Sequence, residues 1–542
     1  MLSDSVEFDR KGKYMLRISN IKISAEYELT DEVLKAAVEK SLRANGVKNI
    51  KIVRQSVDAR DKSRVVHMLT LDFDIYKENR FLRHKNISIP KNDMYEPKTC
   101  ANKEFRPLVA GFGPAGMFCA LALAEMGMKP VVIERGKCVE DRQKDVETFW
   151  KSGKLDTSSN VQFGEGGAGT FSDGKLTTGI NDIRCAYILK RFVEFGAPER
   201  IEYLAKPHIG TDNLVNVVRN IRKRIEELGG RVLFSHRLKD IGLKNNRLEY
   251  ALAENPDGEI RIDCDALVLA VGHSARDTFE MLKSKEFAME RKPFAMGVRI
   301  EHRQEDIDRA QYGDFAKYLP AADYKLTAHL ENGRTAYSFC MCPGGVVAAA
   351  ASEEGGVVTN GMSYFARDGE NANAALLVNV APEDVEGDDV LGGVYLQREL
   401  EKRAFEAGGS DYAAPVQKVG DLLEDRASEA LGRVKPTYSP NVRPSDMRLV
   451  FPDFIYESLK EGILAMDKKL KGFADADAVV TAVESRSSSP VRIIRDKESF
   501  ESLMYWGIYP CGEGCGYAGG IMSAAADGLK IAEKIAEAAD NR

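Results

Sequence analysis

Between Leu108 and Glu134 the chain carries a short apolar run, three spaced glycines, a small-residue stretch, a second apolar run and an acid. Leu108, Val109 and Ala110 read as a buried strand, Gly113–Gly127 as a helix and Pro130–Ile133 as a second strand. Gly111-Phe-Gly113-Pro114-Ala115-Gly116 sits at the junction of the first strand and the helix. Gly111 permits a tight turn, Gly113 lets backbone approach a pyrophosphate, and Gly116 lets helix and strand pack closely. The helix start then offers free N–H groups and a positive dipole end to phosphates. Glu134 stands where an acid that binds ribose hydroxyls belongs, about 20 residues on. A glycine pattern alone would be weak. With both strands, the helix and the acid in place, it predicts a dinucleotide site.

The rest of the chain narrows the class. A net charge of −6 gives no broad electrostatic footprint for nucleic acid or an anionic membrane. Met1 to Lys13 is charged and has no apolar core of a signal sequence. The longest apolar runs, such as Ala266–Val271 and Val346–Ala351, fall far short of the ~20 residues a spanning helix needs. A soluble, cytoplasmic protein is the expectation. Nine scattered cysteines without a CxxC pair predict neither a thioredoxin-like motif nor a zinc knuckle, and no metal site is expected.

The organisation reads as α/β. Leu16–Ser24, Thr30–Ala44, Ile50–Val57 and Val65–Ile75 predict a β-α-β-β unit over residues 1–99, a small N-terminal α+β domain. Pro90–Lys103 reads as a linker. Residues 100–291 form the first part of a Rossmann-like dinucleotide domain, with a helix at Asn213–Leu228 and strands at Arg231–Phe234 and Ala266–Val271. A β-rich and helical insert follows over 292–478, shaping a substrate pocket, and 479–542 complete the dinucleotide domain.

Three features resemble flavoproteins rather than NAD domains. Glu134-Arg135-Gly136 matches a common ending of the first βαβ unit of flavoproteins. The buried strand of Asp265–Gly272, closing on Gly272, resembles one that many of them carry later in the chain. Gly512-Glu513, then Gly519-Gly520 and a small-residue helix, resembles the late flavin motif, in which an acid binds the ribityl chain. The usual aspartate is a glutamate here. Phe163–Leu176, Phe339–Gly345 and Tyr509–Gly514 extend the likeness over nearly the whole chain. It resembles the bacterial uncharacterised FAD-dependent dehydrogenases, often labelled NAD(FAD)-utilising dehydrogenases. The resemblance implies FAD, a two-part FAD-binding domain, and contact of the second glycine loop (Gly166, Gly167, Gly169 and Thr170) with the flavin ring or pyrophosphate. That loop has Rossmann-like spacing, but Thr170-Phe-Ser-Asp-Gly-Lys after it does not read as a helix.

Other residues carry two readings. Cys340 and Cys342 could shuttle electrons beside a flavin, or fill a strand end as small buried side chains, which is the favoured reading. Cys511 and Cys515 divide the same way. His273 and His208 could act as acid or base, but loop or capping roles are favoured. Glu484 to Arg492 could hold an anion through its arginines, or be a solvated loop. No second strand–glycine turn–helix occurs, so any NAD(P)H would dock transiently near the flavin. The expected activity is hydride exchange between flavin N5 and a small organic substrate, by an FAD-dependent oxidoreductase with catalytic residues unassigned. The rivals are an RNA-modifying flavoenzyme, disfavoured by the acidic balance and the lack of a stacking aromatic pair, and a flavin-holding redox sensor.

Overall fold

The computed structural model describes residues 14–91 and 95–541. Its first sheet has four antiparallel strands in the order Lys48–Asp58, Val66–Asp74, Leu16–Ser24, Ile87–Ser88. The helix Asp31–Leu42 starts at Thr30, whose hydroxyl accepts from Val33 N–H at 3.4 Å, and it buries Leu34 and Val38 on the sheet. The edge strand Lys48–Asp58 docks on the rest of the chain. Gln55 N–H donates to Tyr203 O and Ala205 N–H to Gln55 O, both at 2.8 Å.

Pro90–Lys103 is only partly the linker expected from its prolines and charges. Tyr95 packs edge-on against Tyr187 at 5.2 Å, Cys100 is buried, and Asp540 accepts from the N–H groups of Ala101 and Asn102. Its later half is a strap fixed to the central sheet's helices.

That central sheet has five parallel strands in the order Ile508–Pro510, Ala266–Leu269, Pro107–Ala110, Val131–Glu134, Arg231–Phe234. Pro114–Glu125 is buried along nearly its whole length because alanine, glycine and cysteine let neighbours approach. Thr211–Glu227 and Ile521–Asp540 pack on it. A Cβ on Gly528 of the last helix would lie 2.1 Å from Ala115 O, so glycine is required for that contact. Between Phe234 and Ala266 lies a three-stranded meander, Arg237–Lys244, Arg247–Asn255 and Gly258–Asp263, absent from the expected pattern. Its first turn is Asn245-Asn246 with φ of 51° and 58°, the left-handed pair that a tight hairpin needs.

The third large sheet has seven strands in the order Thr327–His329, Thr335–Cys342, Asn371–Val380, Phe294–Arg303, Val479–Glu484, Ala414–Lys418, Val442–Pro444. Asn371–Val380 is an interior strand and almost wholly buried, although alanine and asparagine are poor strand formers. Packing between two neighbouring strands overrides the local preference. Val479–Glu484, assigned from sequence to the resuming dinucleotide unit, pairs instead with Phe294–Arg303 and Ala414–Lys418. The chain rejoins the five-stranded sheet only at Ile508–Pro510. No helix among the described residues is long and apolar enough to cross a membrane.

Candidate functional site

A cleft of about 570 Å³ opens at the carboxyl ends of the parallel strands, lined by Ala110, Glu134 and Ala270. Ligands of open parallel sheets bind at this edge. Its far wall belongs to the seven-stranded sheet, with Ser338, Phe339, Cys340, Met341 and Glu484.

The near end is built from the glycine turn. Gly111 has φ of 100°, and a Cβ there would sit 2.3 Å from Ala270 O. A Cβ on Gly116 would meet Gly111 O at 2.0 Å. Gly113 caps Pro114–Glu125 with extended backbone, and no side chain caps that helix. Glu134 is buried and clamps the turn. Its Oε2 accepts from Phe112 N–H at 2.8 Å, and its Oε1 accepts from Gly136 and Gly164 N–H, both at 2.9 Å. Arg135 lies over the Phe163 ring at 4.2 Å and donates to Asp277 at 2.7 Å.

The second glycine loop is zipped onto this turn. Gly166 N–H donates to Phe112 O at 2.9 Å, and Gly167 approaches Gly113 closely enough that a Cβ would lie 2.9 Å from its Cα. The loop then winds through one 3-10 turn, Gly167–Phe171, where no helix was expected. Arg142, fully buried, holds the loop by donating to the carbonyls of Asn160, Val161 and Glu165 at 2.8, 2.9 and 2.6 Å. Burial pushes its guanidinium down to about 10. Glu165, also fully buried, accepts from Val139 N–H at 2.8 Å and pairs with Arg222 at 3.0 Å, and burial pushes its carboxyl up to about 7.

Of the residues singled out by sequence, Gly111, Gly113, Pro114, Ala115, Glu134, Arg135, Gly167, Gly169, Gly272, Glu513, Gly519 and Gly520 line the cleft. Gly116, Gly166, Thr170 and Gly512 do not, and they shape it by packing. A Cβ on Gly166 would meet Thr170 Oγ1 at 2.0 Å, Thr170 is fully buried, and Gly512 N–H donates to Asp527 at 2.8 Å. Glu513 Oε1 lies 3.2 Å from His273 Nδ1, and both side chains line the cleft. Gly519 and Gly520 open into space at the start of Ile521–Asp540, a helix with no side-chain cap. His208 is buried near Phe365 O, outside the cleft lining, and burial lowers it to about 4. Cys511 lines the cleft but Cys515 is buried behind it.

The anion-holding reading of Glu484 to Arg492 is corrected at Arg486. Glu401 takes Arg486 at 3.0 and 2.8 Å, and Arg276 at 2.8 and 2.9 Å, all buried. Glu484 is likewise held, by Arg299 at 3.0 and 3.1 Å. Arg486, which lines the cleft, is therefore paired within the fold and tied to Gly392–Ala407 through Glu401.

The far end contains residues that sequence spacing did not join. Asp173 is buried, accepts both arms of Arg367 at 2.9 and 2.5 Å, and lies 3.1 Å from Lys175 Nζ. Despite its burial, Lys175 and Arg367 hold its carboxyl down at about 2. These residues come from separated segments, and only Asp173 and Lys175 are near one another in sequence.

The near end fits the adenine dinucleotide half of a flavin. Two uncapped helix starts face the cleft, Gly113 leaves open space, and the volume is that of a cofactor site. This is the mixed α/β fold of an FAD-binding protein. The chain belongs to the family of a Clostridium beijerinckii protein described as uncharacterised, 48% identical over 533 residues, covering 97% of this chain and 99% of that one. Residues 293–487 match the family described as FAD-dependent protein, C-terminal domain-like, and residues 15–74 match a domain of unknown function, DUF8436. FAD is the cofactor.

Solved structures give looser likenesses. The flavin-dependent brominase Bmp2 is 12% identical, with 81% of this chain and 80% of that one covered at a TM-score of 0.39. A geranylgeranyl bacteriochlorophyll reductase-like protein of Thermoplasma acidophilum is 11% identical, with 80% and 78% covered at 0.35. CtdE in complex with FAD is 10% identical, with 79% and 82% covered at 0.31.

Proposed function

We propose that this chain is an FAD-dependent oxidoreductase that exchanges a hydride between flavin N5 and a small organic substrate. The observation that carries the reading is the continuity of the cleft. One cavity runs from the glycine turn at Gly111 and Gly113 to polar and sulfur side chains of another sheet. A bound flavin supplies the redox chemistry, and the protein positions it and sets its electrostatics.

Residues 100–291 and 479–542 act as the two-part FAD-binding domain in this proposal, 292–478 as the substrate domain and 1–99 as the N-terminal α+β domain. The pairing of Val479–Glu484 favours moving the second boundary past residue 484. Gly111, Gly113, Pro114, Ala115, Glu134, Arg135, Gly167, Gly169, Gly272, Glu513, Gly519 and Gly520 contact the cofactor, while Gly116, Gly166, Thr170 and Gly512 support those contacts. NAD(P)H docks transiently as donor, the partner is a small molecule, and neither membrane nor nucleic acid is one.

Anaerobic mixing of the FAD-loaded protein with NADH, NADPH and a panel of unsaturated and hydroxylated acids tests this. At least one compound is expected to bleach the flavin. A flavin that no donor reduces would favour the redox-sensor reading, and salt-sensitive RNA binding the RNA-modifying one.

A further inference from the structure

The strand Thr335–Cys342 ends at the cleft in Cys340-Met341-Cys342. Its register against Asn371–Val380 shifts between Phe339 and Cys342, and Cys340 has φ of 41°. A non-glycine residue in left-handed backbone is strained and persists only when its surroundings impose it. The irregularity gives the two cysteines unlike surroundings. Cys340 lines the cleft, whereas Cys342 is fully buried behind it. Both are free thiols. The Cys342 thiol donates to Cys340 O at 3.2 Å.

The charges around the pair are unbalanced. Arg299 donates to Cys340 O at 2.8 Å, and its charge is matched by Glu484. Asp173 is shared by two cations, Lys175 and Arg367. That leaves one positive charge in excess beside the cysteines, and Lys175 Nζ is buried without a hydrogen bond. The neighbouring Cys342, then Arg299 and Lys175, pull the Cys340 thiol down. Cys340 and burial push Cys342 up. One thiol favouring the thiolate beside one favouring the protonated form is the asymmetry of an attacking and a resolving cysteine.

We infer that Cys340 and Cys342 form a dithiol–disulfide couple at the far end of the cleft that exchanges an electron pair with bound FAD. The inference rests on the cleft being the FAD site. In the reductive direction the Cys340–Cys342 S–S bond breaks, accepting two electrons and one proton from the anionic reduced flavin. Cys342 takes the proton and becomes a thiol, Cys340 keeps the negative charge, and the flavin is left oxidised. Reduced nicotinamide, or the organic substrate, supplies the electron pair that re-reduces the flavin. The reverse direction oxidises the dithiol.

The test is an anaerobic dithionite titration of full-length, FAD-loaded protein first oxidised with diamide. Wild type is expected to take up about four electrons per flavin, and Cys340→Ser and Cys342→Ser about two each. Mass spectrometry of the oxidised wild type should show one tryptic peptide linking the two cysteines internally. Uptake of about two electrons by wild type with FAD fully bound overturns the couple. Absence of FAD overturns the cleft assignment instead, and the diamide peptide from that chain still decides whether the cysteines pair.

Discussion

Gly113 and Gly167 face one another across the join of the two glycine loops. A Cβ added to Gly113 would lie 3.7 Å from Gly167 Cα, whereas one added to Gly167 would come within 2.9 Å of Gly113 Cα. Gly113 therefore has room on the protein side, and its missing side chain leaves space for something that is not protein. Gly167 is needed by the fold itself.

This asymmetry separates two kinds of variant. Gly113→Val is expected to stay folded and lose FAD, because its methyl groups occupy the pyrophosphate's place. Gly116→Val is expected to unfold or aggregate, since a Cβ there meets Gly111 O at 2.0 Å. Circular dichroism and flavin absorbance read the two effects separately. Full FAD occupancy in folded Gly113→Val would remove the phosphate assignment.

Glu401 is shared by Arg276 and Arg486 inside the protein, with Glu353 as a second carboxylate on Arg276. Glu401→Gln leaves both guanidinium groups buried with far less compensation, and a loss of roughly 3–5 kcal/mol in unfolding free energy is expected. Urea denaturation measures it. A loss below about 1 kcal/mol would mean that water reaches the cluster.

His208 makes stability depend on pH. Burial lowers its folded value from 6.5 to about 4, so below pH 6.5 the unfolded chain takes a proton that the folded chain refuses. Its contribution is complete above pH 6.5 and is lost as pH falls to about 4, on the order of 3 kcal/mol. The difference between wild type and His208→Gln should narrow by that order over this range. Glu165, with its carboxyl raised to about 7, acts in the opposite sense in both chains and cancels in the comparison. A difference that stays constant with pH would show that His208 is solvated.

Truncation tests the N-terminal unit. Removing residues 1–91 is expected to leave a soluble, FAD-loaded chain, because no residue before Gly111 was assigned to the cofactor. Removing residues 1–98 also takes Tyr95 away from Tyr187, and should cost a further ~2–4 kcal/mol while FAD stays bound. Thermal melts and released-FAD chromatography read these outcomes. A soluble, folded chain lacking FAD would place part of the cofactor site in the first unit.

The glycine turn, Glu134 and the late helix were legible because each demand falls on residues close in sequence. A turn that tolerates no Cβ writes glycine at that position. The far end left no such trace. Asp173, Arg299, Cys340, Arg367 and Glu484 meet only after the seven-stranded sheet has formed, and no spacing announces their contact. The Asn245-Asn246 hairpin did carry a local signal, two residues that accept left-handed backbone, which the reading passed over. Val479–Glu484 lay in the span 479–542 given to the dinucleotide domain but pairs in the seven-stranded sheet, since an apolar run shows that a strand is buried and not which neighbours bury it.

The order of the parallel sheet sets a timetable for synthesis. Its edge strand is Ile508–Pro510, which pairs with Ala266–Leu269, itself beside Pro107–Ala110. A chain emerging from the ribosome exposes the glycine turn early, then must make roughly 400 further residues, at about 5–20 per second, before that edge can be covered. For tens of seconds the half-built sheet has an unpaired edge, and the four-stranded N-terminal unit can already fold beside it. Nascent chains arrested before residue 508 are where a chaperone would be found attached.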